Sequence, residues 1–169
     1  TAQGFGDPDK GIPAVVGALE SMLYYHPGLK GCTPPRRGDP AALLKNFLGD
    51  LCAGADRPVV VLFDEVDCLS GQTLITFLRQ LRDGYVNRTR IPFIHACALV
   101  GMRNIRDYKA NLRDNRETLG SASPFNIVKR ALTLVNFTRD EVADLYGQHT
   151  SDTGQQFTQA AIDRAFYWT

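Results

Sequence analysis

Apolar positions Ile12, Val15, Val16, Leu19 and Leu23 recur at helical spacing, and Pro27-Gly28 closes that pattern. After a Pro/Arg/Gly loop from Gly31 to Gly38, Asp39 reads as an N-cap with Pro40 at the first helical position. The helix predicted behind it carries Leu43, Leu44, Phe47, Leu48 and Leu51 on one face. Pro58 marks the turn into Val59-Val60-Val61-Leu62-Phe63, a β-branched run without alternation. Such a run predicts a strand covered on both faces, as in a parallel sheet. Leu74, Phe77, Leu78 and Leu81 then predict a helix, and Phe93 to Val100 a second buried strand ended by Gly101. Residues 102–123 are polar and show no period. Ala131 to Val135 is a third strand candidate. Thr138-Arg139-Asp140-Glu141 is a capping box opening a helix with Val142, Leu145 and Tyr146 inward, and Thr158 caps a last helix through Ile162, Ala165 and Phe166.

Strands separated by helices predict an α/β fold with a parallel sheet, whose chemistry gathers at the carboxyl ends of the strands. The length of 169 residues suits one ordinary core, and 44% hydrophobic with 22% charged residues suits a globular chain. A net charge of +1 gives no global pull toward nucleic acid or membrane. No apolar run approaches the roughly 18 residues of a membrane span, and no signal peptide opens the chain. Cys32, Cys52, Cys68 and Cys97 form no C-x-x-C pair and read as reduced, buried thiols. A cytoplasmic protein without a membrane partner is expected.

The sharpest chemical feature is the acidic end of the first apolar run, Phe63-Asp64-Glu65-Val66-Asp67. A carboxylate at the end of a core strand can hold a hydrated Mg²⁺, which prefers oxygen ligands and keeps several waters. The neighbouring glutamate can orient and deprotonate a water attacking a terminal phosphate. The competing reading is a strand that simply ends in a solvated acidic turn. The second strand candidate ends in Gly101-Met102-Arg103, where a guanidinium would stabilise phosphoryl charge. By itself, Arg103 reads as an ordinary surface arginine.

The run Val61 to Asp67 resembles the Walker B element of P-loop NTPases in its AAA+ and STAND-like form. The segments Leu99 to Lys109, Ser123 to Ile127, Leu134 to Thr138 and Glu141-Val142 follow in an order similar to that of the bacterial AAA-like ATP-binding proteins related to origin-recognition and STAND ATPases. The resemblance implies a partial RecA-like core over residues 1–135 and the start of a helical lid over 136–169. It also implies ATP and Mg²⁺ as ligands. Asp64 would be the Mg²⁺ ligand, Glu65 the residue that activates water, and Arg103 the γ-phosphate sensor.

One departure from the family pattern is large. No G-x-x-x-x-G-K-S/T run occurs in the chain, so no backbone cradle with its lysine is written for the phosphates. Gly4 to Gly11 is the nearest Gly-rich stretch, but its spacing is wrong and it contains Pro8, so it reads as a loop. The chain begins at Thr1 and stops inside a helical pattern at Trp168-Thr169. It is therefore expected to be an excerpt that starts after the Walker A region and holds half an ATP site.

Charge is uneven along the chain. Residues 79–116 carry +6, and the remainder −5. The stripe reads first as a solvated polar face, and second as a DNA-facing or subunit-facing surface. His26, His95 and His149 have no partner at metal or triad spacing, and His95 reads as a satisfied core residue. Phe166, Tyr167 and Trp168 read as lid core. Against the ATPase stands a rival of another class, a non-catalytic regulatory or interaction module on the same core. Self-association or a partner protein is expected of either.

Overall fold

Helix α1 (Pro8–Tyr25) is capped by Asp7, whose Oδ1 accepts from Asp9 N at 3.0 Å, and Pro8 takes the first helical position. Pro8 to Gly11 is therefore the first turn of a helix, which corrects the reading of Gly4 to Gly11 as a loop as far as it is described. The computed structural model describes residues 6–26, 34–102 and 132–168. At the far end His26 is extended, as a residue before proline must be, and the helix stops.

Asp39 caps as expected, but what it caps is a turn over Pro40–Ala42. Its Oδ1 accepts from Ala41 N at 3.0 Å, and its carbonyl from Ala42 N and Leu43 N. Helix α2 (Leu43–Gly54) follows directly. The segment before it is tied down by ion pairs from Arg36 to Glu20 and from Arg37 to Asp50. The Arg36 guanidinium holds the Glu20 carboxyl below its ordinary range.

Strand β1 (Val60–Phe63), a 3₁₀ turn (Val66–Cys68), helix α3 (Gly71–Asn87) and strand β2 (Ala96–Leu99) complete the first unit. The two strands are hydrogen-bonded in parallel, so the α/β expectation holds in this form: helices with a small parallel sheet. A parallel pair needs a crossover long enough to return the chain, and α3 supplies it.

The core gathers Ile12 and Val16 of α1, Leu44, Phe47 and Leu48 of α2, and Leu74, Phe77 and Leu78 of α3, all essentially inaccessible. Phe63 meets Phe77 edge to face, with ring centroids 5.0 Å apart. Gln80 is buried among them with both ends of its amide bonded. Its Oε1 accepts from Lys45 N at 3.1 Å and its Nε2 donates to Pro40 O at 2.8 Å, fastening the start of α2 to α3. Gln80→Leu strands both backbone groups, so a loss of about 1–3 kcal/mol is expected in urea denaturation.

Burial on both faces of β1 is not what the structure shows. Val59, Val61 and Phe63 pack on the helices, whereas Val60 is 57% and Leu62 70% exposed. Side chains alternate across a strand, and α1, α2 and α3 supply cover to one face only. His95 and Cys97 are exposed too, against the expectation that both lie in the core, although the register sets them beside Val59 and Val61. Cys52 and Cys68 are half-buried, and burial pushes the Cys52 thiol up to about 11. Cys32 lies outside the described residues.

The second unit holds α4 (Arg139–Thr153) and α5 (Gln159–Trp168). The capping box forms as written: Thr138 N donates to Glu141 Oε2 at 2.7 Å, and Glu141 N to Thr138 Oγ1 at 3.3 Å. Those bonds hold the Glu141 carboxyl below its ordinary range. Gly154 ends α4 in the left-handed region, at φ 77°. Arg139 pairs with Asp163, and Tyr146 packs edge to face on Phe157 at 4.6 Å.

Several inward assignments fail in this unit. Val142 is buried, but Leu145 is exposed, as are Phe166, Tyr167 and Trp168. Two helices cover one seam and cannot enclose every apolar position. Arg164 lies over the rings of Tyr167 and Trp168 instead. Of the third strand candidate, residues 132–135 form no strand and stand exposed, and Ala131 lies outside the described residues. No helix among the described residues is long and apolar enough to cross a membrane.

Candidate functional site

The register pairs Val60 with Ala96, Val61 with Cys97, Leu62 with Ala98 and Phe63 with Leu99. The ladder runs on at the carboxyl end, where Val100 N donates to Phe63 O at 2.8 Å and Val66 N to Val100 O at 3.0 Å. Parallel pairing thus brings Asp64-Glu65 and Val100-Gly101 to the same end of the sheet. That juxtaposition follows from two apolar runs that each end in polar residues.

Asp64 and Glu65 are exposed there. Asp64 Oδ1 accepts from Glu65 N at 2.8 Å. Glu65 has φ 54° and ψ 39°, and is the one non-glycine residue with positive φ among those described. A β-carbon in this left-handed region costs about 1–2 kcal/mol, which glycine would avoid. Retaining a glutamate at such a position is the kind of local strain that collects at working sites. Nothing in the sequence pattern marked this backbone.

Asp67 behaves differently from the other two acids. It is half-buried, and its Oδ2 accepts from Met102 N at 2.6 Å. Gly101 makes that approach feasible, because a β-carbon there would overlap the Asp67 carboxylate. Three acids within four residues are therefore two at the solvent edge and one turned onto the segment that leaves β2. The spacing D-E-x-D and a glycine just past an apolar strand were the available signals, since such a glycine marks close backbone approach. Their meeting depends on a register that no local pattern reveals.

Arg103, expected as the sensor, lies outside the described residues, which resume at Leu132. So do five of the nine basic residues of the stripe, Arg103 included. Within its described part, Arg88 lies over the Tyr85 ring at 3.8 Å.

No group of three or more His, Cys, Asp and Glu side chains among the described residues could hold a metal by itself. The donor set suits Mg²⁺ better than a dedicated metal cage. One or two carboxylates in open solvent, with water completing the shell, are what Mg²⁺ takes beside a phosphate. The start of α1 lies beside the start of α3, where a β-carbon on Gly6 would sit 3.7 Å from Ser70 Oγ. Compared with protein-family models, curated proteins and solved structures, the chain has no match.

Proposed function

We propose that the acidic end of β1 is the cation- and water-handling half of an ATP site, in an AAA-like module that binds and hydrolyses ATP. The observation that carries this reading is Glu65, held in a left-handed conformation beside Asp64 at the carboxyl end of a parallel strand pair. A structural turn would favour glycine or asparagine there. In this reading Asp64 holds Mg²⁺, which would neutralise charge on the transferred phosphoryl group. Glu65 takes the proton of the attacking water, and Arg103 faces the γ-phosphate as the resemblance implies. The RecA-like core and the lid over residues 136–169 belong to the same proposal.

The rival, a non-catalytic regulatory or interaction module, draws on the chain's lack of a G-x-x-x-x-G-K-S/T loop and on the bare face at Val60 and Leu62. A module relieved of catalysis has no use for a strained glutamate. Glu65→Gly separates the two readings. It should stabilise the fold by about 0.5–1 kcal/mol, the relief of strain less the added freedom of the unfolded chain. It should also abolish ATP turnover.

The test of the activity is steady-state hydrolysis of Mg·ATP by the full-length protein. Turnover is expected there. The chain alone should bind Mg·ATP weakly or not at all and hydrolyse none, since most grip on a triphosphate comes from loop N–H groups and lysine acting together. Micromolar affinity of the chain alone in calorimetry would contradict this account, and the start of α1 would then be the place to look for a phosphate cradle.

A further inference from the structure

We propose that Asp67 is a positioning residue, which sets the segment leaving β2 against the acid pair and takes no part in holding a cation. Three carboxylates within four residues invite the reading of a cation cluster, and the geometry separates them. Asp64 and Glu65 face solvent, while Asp67 is half-buried and reaches across to the segment that leaves β2. Its Oδ2 accepts from Met102 N at 2.6 Å, a hydrogen bond assisted by the carboxylate's charge. Gly101 is bare at the one place where any side chain would displace that carboxylate.

A backbone bond from Val66 N to Val100 O, at 3.0 Å, joins the same two segments one step earlier. Two attachments, one through backbone and one through a side chain, therefore fix residues 100–102 relative to the loop that carries Asp64 and Glu65. Removing the side-chain attachment leaves a hinge at Gly101, the most permissive residue in the segment. Two residues beyond that hinge the sequence has Arg103. The consequence for catalysis rests on the ATP-site reading above, whereas the clasp itself does not.

The test has two readouts. In the isotope-labelled chain, hydrogen exchange at the Met102 amide should quicken about tenfold in Asp67→Ala, the size of one charge-assisted hydrogen bond. Asp67→Asn keeps an acceptor of the same size and should stay within about threefold of wild type. Gly101→Ala, which leaves the carboxylate intact but displaces it, should match Asp67→Ala. The Phe77 amide, in the core, should exchange alike in all of them, which separates release of the clasp from loss of the fold. In the ATP-hydrolysing protein, Asp67→Ala should lower kcat about tenfold with KM unchanged, and Asp67→Asn should restore it.

Unchanged Met102 exchange in Asp67→Ala would overturn the clasp. Faster exchange with kcat and KM both unchanged would overturn its positioning role. Absence of turnover in the wild-type protein would instead overturn the ATPase reading, and the exchange ratio would still decide what Asp67 holds.

Discussion

In the full-length protein, Glu65→Gln should leave Mg·ATP bound and remove its hydrolysis, lowering turnover by about 10²–10⁴-fold, the usual contribution of a positioned general base. The substitution keeps the length and shape of the side chain. It leaves Asp64 untouched and preserves the strained backbone, so stability should not change. What disappears is a group able to accept the proton of water. The two halves of the prediction are read separately, by calorimetric binding of Mg·ATP and by steady-state phosphate release. Turnover close to wild type would remove Glu65 from the role of base.

Phe77→Ala should cost about 3–5 kcal/mol, the largest stability loss of any single substitution considered for the first unit. Phe77 is 1% exposed and meets Phe63, the last residue of β1, at 5.0 Å. Its ring is therefore both part of the helical core and the platform under the strand that carries the acids. A small sheet covered on one face has little else to compensate the cavity. Chemical denaturation of the variant measures the loss. A change below about 1 kcal/mol would mean that the site collapses around the gap, contrary to the close packing expected of such a core.

The helices of the first unit were legible because their apolar positions follow one period and are punctuated by Pro27 and Asp39, whereas the start of α1 at Pro8 was read as a loop. Leu74, Phe77, Leu78 and Leu81 all lie inward on α3, as their spacing required. The strands were legible as strands, but their surroundings were not. An unbroken apolar run states what a strand could bury, and the number of covered faces depends on what packs against it. Hence Val60 and Leu62 stand exposed despite their apolar neighbours in sequence.

The candidate site divides in the same way. Asp64 and Glu65 announced themselves through local chemistry, acids terminating an apolar run. The left-handed backbone of Glu65 and the bond from Asp67 to Met102 arise from tertiary register between segments 35 residues apart. Sequence spacing carries no information about that meeting, beyond the glycine that permits it.

The central claim is that the carboxyl end of β1 seats the cation that accompanies a nucleotide. Its most direct test is titration of the isotope-labelled chain with Mn²⁺, a paramagnetic stand-in for Mg²⁺, while the backbone amide signals are followed. The account predicts that the amides of Asp64, Glu65 and Gly101 broaden first, and that Asp64→Ala abolishes the effect. Amides at the end of β1 that stay sharp while others broaden, such as those of Asp140 and Glu141 at the start of α4, would contradict it.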